Sequence, residues 1–353
     1  MQPFWQATLM EGEALFFIQR EAGRPATARL LFPPEEFLGL KSATGETAYE
    51  LDRDFVLDPA SGTLQLTPAS KIPFKGPAEM YPPEDSNLPK YPHRRGDPHT
   101  FLIFGEGPYF HRLQAEATYR HQAGLWQSYI PAFAGALLPK TQALLRERRA
   151  LKLSIAGDSI SVGGDVSGLT GAPPFQPSYV ELVKRGLERA YGAQITLANF
   201  AKGGWISAQG LADAGRLAES LPDLVFVAFG MNDSREHDAT GFVENVRKIM
   251  ERVLERSPEA EFVLVAPMLC NPEWHKRRME IFPAMRDALA ELAARYRPRA
   301  VLADLTAVWT ELLRRKSYHD LSGNGINHPN DFGHRVYAQV VLALLVPEPP
   351  DVP

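Results

Sequence analysis

Residues 151–161 read LKLSIAGDSIS, an apolar run that ends in Gly157-Asp158-Ser159. Such a run, followed by a sharp glycine turn, predicts a buried strand that exposes Ser159 directly after its end. Further strand-length apolar runs follow, separated by amphipathic segments of helical spacing: strands over 194–198, 224–229, 262–266 and 300–303, and helices over 179–190, 242–256 and 332–345. This alternation predicts an α/β domain with a parallel sheet covered on both faces by helices.

The chain before residue 125 has a different pattern. Short runs of β-forming residues predict a β-sandwich, jelly-roll-like, over residues 1–125, with strands at 28–32, 55–57, 63–66, 100–105 and 113–119. Residues 72–99 contain seven prolines, which predict a long surface loop because proline continues neither a helix nor a central strand. Residues 126–149 connect this domain to the α/β domain at 150–353 and include a predicted helix over 138–149.

Composition limits the classes of function. The 353 residues carry a formal net charge of −4. A nucleic-acid partner would require a basic face, so we expect no nucleic-acid partner. Cys270 is the one cysteine, so the fold does not depend on an intrachain disulfide. No apolar run reaches the ~20 residues of a membrane helix, and we expect no membrane partner. The N-terminus has no signal-peptide pattern, so the expected location is the cytoplasm, with secretion after signal removal left open. The oligomeric state is not indicated.

Ser159 is a candidate nucleophile, because a serine hydroxyl becomes reactive when a base takes its proton. Position 161 is serine, so the motif is not the Gly-x-Ser-x-Gly elbow and an α/β-hydrolase is disfavoured. Ser161 is the alternative nucleophile. The turn could also be a simple helix cap, or a phosphate cradle with Gly163-Gly164, although neither the dinucleotide fingerprint nor the P-loop is present.

Two other turns offer donors for an oxyanion. Residues 199–205 read NFAKGGW, in which the backbone N–H of Gly204 is the candidate and that of Gly203 the alternative. Residues 230–233 read GMND, in which the Asn232 side-chain amide is the candidate. Each has a simpler interpretation, as a glycine turn or an Asn-Asp cap. All these motifs begin where an apolar run ends, at the sheet edge where ligands of parallel sheets bind.

A candidate base completes the set. His328 lies in residues 323–334, GNGINHPNDFGH. The order Ser, Gly, Asn, His, with these flanks, resembles the SGNH (GDSL-type) hydrolase family over residues 150–353. The resemblance implies a flavodoxin-like, three-layer hydrolase domain, with Ser159 as nucleophile and His328 as base. It also implies an oxyanion hole of the Ser159 N–H, the Gly204 N–H and the Asn232 amide, with no cofactor.

The motif departs from the family at one position. The family usually has an aspartate three residues before the catalytic histidine, and this chain has Gly325. Asn324 after a one-residue insertion, Asp320 folding back, or a backbone carbonyl could orient the imidazole instead. We expect a Ser–His dyad, or Asn324 as a weak orienting residue.

Several neighbouring residues have less specific roles. His334 is the rival base, because residues 331–334 also match Asp-x-x-His, although Asn330-Asp331 is typical of the cap of the last helix. A metal held by His328, Asp331 and His334 has no further ligand cluster to support it, and we expect no metal. Trp205 could stack on a sugar ring, although packing in the core is the simpler interpretation. His237 could line the pocket, although a surface position is simpler. Lys202 and Arg235 are expected to be exposed charges.

The expected function is a serine ester hydrolase that works through an acyl-enzyme. The resemblance extends to two-domain carbohydrate acetylesterases, which implies a small-molecule or saccharide ester substrate, with deacetylation of O-acetylated carbohydrates first. The alternatives are a general short-chain carboxylesterase, arylesterase or thioesterase, and a carbohydrate-binding protein whose hydrolase site is vestigial. Fold and motif do not determine which alcohol or acyl group is accepted.

Overall fold

A computed structural model describes residues 2–235 and 238–347. Its strands are β1 (Leu9–Ile18), β2 (Thr27–Arg29), β3 (Glu36–Ser42), β4 (Ala48–Tyr49), β5 (Phe55–Asp58), β6 (Thr63–Leu66), β7 (Phe74–Lys75), β8 (Lys90–Arg94), β9 (Asp97–Ile103), β10 (Gln114–Arg120), β11 (Leu151–Gly157), β12 (Ile195–Asn199), β13 (Leu224–Ala228), β14 (Glu261–Ala266) and β15 (Ala300–Asp304).

The α-helices are α1 (Pro77–Met80), α2 (Pro139–Arg146), α3 (Ser159–Val162), α4 (Ser167–Thr170), α5 (Tyr179–Tyr191), α6 (Ser207–Ala212), α7 (Ala214–Glu219), α8 (Ala239–Leu254), α9 (Ile281–Arg295), α10 (Leu305–Arg315) and α11 (Asp331–Leu345). Short 3-10 helices cover His111–Leu113, Gly135–Leu137, Asp233–Arg235 and Tyr318–Asp320. Within the described residues, no helix is long and apolar enough to cross a membrane.

The N-terminal part contains one connected sheet of eight strands. Its order is β4-β3-β10-β1-β2-β6-β5, with β7 added beside β1. Strand β1 joins the two sides of this sheet, because it pairs with β10 through Leu9–Phe16 and with β2 at Ile18. The N-terminal part is therefore β-structure, mainly antiparallel, as its short β-forming runs indicated, but the predicted jelly-roll-like β-sandwich is not confirmed.

The proline-rich residues 72–99 are only partly a loop. They contain β7, α1 and β8, and β8 pairs with β9 as a separate two-stranded sheet. Pro92 lies inside β8. A strand of an isolated hairpin has one free edge, so it tolerates a residue that has no N–H to donate. The prediction of a continuous loop was therefore wrong for these short elements.

The α/β part has a parallel five-stranded sheet of order β12-β11-β13-β14-β15. Each of these strands overlaps an apolar run that predicted it. Counted within this part, the order is second, first, third, fourth, fifth, which is the flavodoxin-like order. The chain leaves β11 for β12 on one side and then crosses over β11 to reach β13 on the other. Ligands bind at such a switch point, beyond the carboxyl end of the strand.

The helices follow from this strand order. Right-handed crossovers place the helices on opposite faces of the sheet when the direction of strand addition reverses. Accordingly α5, between β11 and β12, packs against α11, whereas α8 packs against α6, α7 and α9. The sheet is covered as a three-layer α/β structure, as the alternating pattern predicted.

Apolar side chains of the N-terminal part and the α/β part belong to one buried cluster, which runs from Phe4 to Val346. Buried polar contacts cross the same boundary. The Lys316 ammonium forms an ion pair with Glu13, and both side chains are fully buried. The Gln114 side-chain amide donates to the carbonyls of His319 and Ser322, each at 2.9 Å. The segment that contains Lys316, His319 and Ser322, which precedes His328, therefore packs against the N-terminal part.

Candidate active site

Ser159 lies at the first position of a short helix. Strand β11 ends at Gly157, and the Asp158 carboxylate caps α3 by accepting the N–H of Ile160 at 3.0 Å. Burial raises the pKa of Asp158 to about 7. A side chain at position 157 would lie 2.9 Å from the Ala228 carbonyl oxygen, so glycine allows β11 and β13 to approach here. The local sequence thus presents Ser159 just beyond the central strand.

The Ser159 hydroxyl meets His328. Ser159 Oγ lies 2.8 Å from His328 Nε2. On the other side of the ring, His328 Nδ1 lies 2.6 Å from Asp165 Oδ2, where an N–H donates to the carboxylate. Nucleophile, imidazole and carboxylate therefore form the linear arrangement that activates serine in acyl transfer.

This geometry corrects the expectation of a dyad or of Asn324 as the orienting residue. Asn324 Oδ1 accepts the backbone N–H groups of Ile326, Asn327 and His328, at 2.9, 3.0 and 3.2 Å. Asn324 therefore shapes the backbone of the turn that carries His328. The side chain that contacts the His328 ring is Asp165.

Asp320 also lies away from the imidazole. Its carboxylate accepts the N–H of Phe16 at 2.7 Å and that of Ser317 at 3.0 Å. Burial raises the pKa of Asp320 to about 6, and the nearby Lys316 ammonium opposes that rise. Asp320 is thus committed to the junction with the N-terminal part, and the alternative in which it folds onto His328 is wrong.

Asp165, which follows Ser159 by six residues, was not among the predicted site residues. Asp165 has φ of +61°, a left-handed conformation that aspartate adopts more readily than most residues. The preceding Gly163-Gly164 pair, considered above as a phosphate cradle, makes this turn. Gly163 has φ of +106°, and the Gly164 N–H donates to the Ser159 carbonyl at 2.8 Å. A short glycine turn ending in aspartate was the available signal.

The two alternative catalytic side chains are both buried. The Ser161 hydroxyl is hydrogen-bonded to the Tyr179 hydroxyl at 2.7 Å. His334 Nδ1 accepts the N–H of Tyr179 at 3.2 Å, and burial lowers the pKa of His334 to about 3. No hydrogen bond joins His334 to Ser159 within the described residues. Ser161 is therefore not in the position of the nucleophile, and His334 is not in the position of its base.

The structure also bears on the metal alternative. Asp331 Oδ1 accepts the N–H of Ser167 at 2.8 Å, and Asn330 caps α11 by accepting the N–H of Gly333 at 2.9 Å. Over residues 2–235 and 238–347, no group of three His, Cys, Asp or Glu side chains could hold a metal ion.

The turn that contains Gly204 lies beside the end of β11. The Lys202 N–H donates to the Gly157 carbonyl at 3.1 Å, which holds this turn next to the Ser159 turn. Gly204 has φ of +75°, so the turn requires a residue that tolerates the left-handed region. Its assignment as an oxyanion donor stays a prediction.

The turn that contains Asn232 lies on the other side of β11. Asn232 is buried, and its amide donates to the Trp205 carbonyl at 3.1 Å. An amide carries two N–H bonds, and within residues 2–235 and 238–347 the second one donates to no protein group, which leaves it available for a ligand oxygen. The Asp233 carboxylate accepts the N–H of Ser207 at 2.9 Å and the N–H of Gly230 at 3.1 Å. Asp233 therefore fixes the two candidate donor turns relative to each other.

Of the remaining candidates, Trp205, Lys202 and Arg235 lie in the described part of the chain. Trp205 packs partly buried against the core, and the Lys202 ammonium lies 4.2 Å from its ring centroid. Arg235 is exposed. His237 lies outside the described residues.

These observations define a candidate serine hydrolase site on a flavodoxin-like sheet. Residues 155–336, more than half of the chain, match the model of the GDSL-like lipase/acylhydrolase family. The chain belongs to this family. No curated protein has a sequence that matches it.

Several solved structures are similar to the chain. A two-domain esterase, CEX, described as active on acetylated mannans, has 22% identity and a TM-score of 0.46 over 59% of this chain and 52% of that chain. The lipase/acylhydrolase from Enterococcus faecalis has 20% identity and a TM-score of 0.42, over 54% and 93%. A carbohydrate esterase family 3 protein from Talaromyces cellulolyticus has 14% identity and a TM-score of 0.44, over 54% and 94%. The match thus spans about half the length of the two-domain esterase.

Gly164 gives a test of the site geometry. A Cβ at position 164 would lie 2.9 Å from His328 Nδ1 and Cε1. We expect Gly164→Ala to displace the imidazole and lower kcat by ~10–100-fold, because small misplacements of a catalytic group are costly. Gly215→Ala is the control, since a Cβ there meets nothing within 4 Å. Steady-state hydrolysis of an aryl acetate measures both variants, and equal kcat values would contradict the contact.

Proposed function

We propose that this protein is a serine ester hydrolase that acts through an acyl-enzyme. The observation that carries the proposal is the sequence of contacts from Ser159 Oγ to His328 Nε2, 2.8 Å, and from His328 Nδ1 to Asp165 Oδ2, 2.6 Å. Family membership supports the same reaction class.

In this mechanism His328 takes the proton of the Ser159 hydroxyl as the oxygen attacks the ester carbonyl. Asp165 holds the ring with Nδ1 protonated, so that Nε2 is the free base, and stabilises the imidazolium that forms. His328 then gives the proton to the departing alcohol. Water then loses a proton to His328 as its oxygen attacks the acyl carbon. The acid leaves as the Ser159 oxygen takes that proton back from His328.

The tetrahedral intermediate needs donors for its oxyanion. We assign this role to the backbone N–H groups of Ser159 and Gly204 and to the Asn232 amide. Their turns follow three adjacent strands, β12, β11 and β13, which supports a common position. A donor that is fixed before the reaction is worth ~3–4 kcal/mol in favourable cases.

For the substrate we propose O-acetylated carbohydrates, or other esters of a short acyl group. This proposal rests on the resemblance of the motifs and of the two-part arrangement to two-domain carbohydrate acetylesterases. The alternative of a vestigial site rested on the missing acid at position 325. Asp165 on the His328 ring removes that support.

Replacement of Ser159 tests the reaction class. We expect Ser159→Ala to abolish ester hydrolysis with the fold retained, because the variant loses one oxygen from an accessible turn. Ser161→Ala should keep turnover, since its hydroxyl contacts Tyr179. A serine-directed phosphonate should add its mass to the peptide that contains Ser159. Near-wild-type turnover in folded Ser159→Ala would contradict the mechanism.

Replacement of Asn232 tests the oxyanion assignment. We expect Asn232→Ala to lower kcat by ~100-fold or more with KM little changed, because the bond strengthens in the transition state. Asn245→Ala is the matched control, since the Asn245 amide donates to Ser207 Oγ at 3.1 Å and supports the same region. A rise in KM at constant kcat would instead make Asn232 a substrate-binding residue.

A substrate panel tests the alcohol and the acyl group. Acetate release from acetylated mannan and acetylated xylan is compared with hydrolysis of aryl acetate, aryl butyrate and an acyl thioester at equal ester concentration. We expect the highest kcat/KM on an acetylated glycan, abolished in Ser159→Ala. Preference for aryl or thioesters would select the general esterase or thioesterase alternative.

A further inference from the structure

The position at which the family usually carries its acid has no room for a side chain in this protein. Gly325 has φ of +86°, where residues other than glycine are strained. A Cβ there would lie 2.5 Å from the Ile103 carbonyl oxygen and 2.6 Å from the Phe110 ring. Both obstacles belong to the N-terminal part, in residues 103–110, which we call the 103–110 segment.

The same segment supports the acid that is present. The Gly107 N–H donates to Asp165 Oδ1 at 2.7 Å, while Asp165 Oδ2 faces His328. The Gly105 N–H donates to the Asn324 carbonyl at 3.3 Å, in the turn that leads to His328. The 103–110 segment therefore contacts both sides of the His328–Asp165 pair.

Burial and close packing, as well as these hydrogen bonds, restrict the Asp165 side chain. It is 7% exposed, so its carboxylate depends on hydrogen bonds from the protein. A Cβ at Gly323 would lie 2.8 Å from Asp165 Cβ, which shows how closely the His328 turn packs on it. Among the described residues, the Gly107 N–H is the donor to Asp165 Oδ1. Loss of this bond would leave Oδ1 unsatisfied and free the carboxylate to rotate away from His328.

We propose that the 103–110 segment is a positioning element of the active site. The Gly107 N–H fixes the Asp165 carboxylate against His328, while Ile103 and Phe110 fill the space that a side chain at position 325 would need. The acid therefore stands at position 165, and the N-terminal part contributes to the chemistry as well as to stability. This inference rests on the proposed function.

The test compares two replacements of Gly107, which has φ of +72° and open space around a Cβ. Gly107→Pro removes the N–H and fixes φ near −65°. Gly107→Asn keeps the N–H, and asparagine tolerates the left-handed region. Gly124→Pro is the control for strain, because Gly124 has φ of +73°, equally open space, and an N–H that donates no hydrogen bond within the described residues. Asp165→Asn is the reference for full loss of the acid.

We expect Gly107→Pro to lower kcat by ~10–100-fold at unchanged KM, because the carboxylate is misplaced but still present. This loss is smaller than the ~10⁴-fold loss of kcat expected for Asp165→Asn. Gly107→Asn and Gly124→Pro should keep kcat. The proton on His328 Nδ1 gives a second measurement by NMR. Its far-downfield signal should persist in Gly107→Asn and Gly124→Pro and disappear in Gly107→Pro and Asp165→Asn.

The outcomes separate this inference from the proposed function. Wild-type kcat and an unchanged Nδ1 proton signal in Gly107→Pro, with collapse in Asp165→Asn, would overturn the positioning role and leave the triad intact. An equal loss of kcat in Gly124→Pro would also overturn it. Full activity of Asp165→Asn, with Ser159→Ala inactive, would instead contradict the triad.

A double variant tests the exclusion at position 325. Asp165→Asn combined with Gly325→Asp places a carboxylate at the usual position of the family. We expect kcat to stay at the level of Asp165→Asn, and failure of the double variant to fold would support the same steric claim. Recovery of kcat would show that the position accepts an acid and would overturn the proposal.

Discussion

The site depends on one buried carboxylate. Asp165 accepts a hydrogen bond from the imidazole of His328 and another from the backbone of Gly107, so it joins the two parts of the chain at the reacting group. A buried carboxylate that loses a donor is costly, which makes this arrangement sensitive to both partners. The left-handed turn at Asp165 and the closeness of Gly164 to the His328 ring accompany this contact, and Gly325 leaves room for Ile103 and Phe110.

The order of the parallel strands provides the rest of the site, and this part could be predicted from the sequence. The apolar runs identify the strands of the sheet, and Ser159, Gly204 and Asn232 each follow one of them. Because β11 lies between β12 and β13, their turns meet at one edge. The pairing of Ser159 with His328 was likewise predicted from the motifs, and the structure brings the two together. The local sequence pattern was therefore sufficient to predict the site residues that directly follow a strand.

Pattern was insufficient where a feature depends on contacts between distant residues. The acid was not assigned because the glycine turn that ends in Asp165 does not reveal its partners, His328 and Gly107, which are far from it in sequence. The obstacle at position 325 comes from Ile103 and Phe110, so the glycine could be noticed but not explained. Strand β1 was also missed, since Gly12 and Glu13 interrupt its apolar pattern, and the buried Glu13 carboxylate is paired with the distant Lys316 ammonium.

In the proposed mechanism, Ser159, His328 and Asp165 act as one catalytic unit. The most direct test is a crystal structure of the protein treated with a serine-directed phosphonate. We predict phosphorus on Ser159 Oγ, the phosphoryl oxygen about 2.7–3.1 Å from the Gly204 N–H and the Asn232 amide, and His328 Nδ1 still bonded to Asp165. An adduct on another residue, or an imidazole held by Asn324 or Asp320 in place of Asp165, would contradict the account.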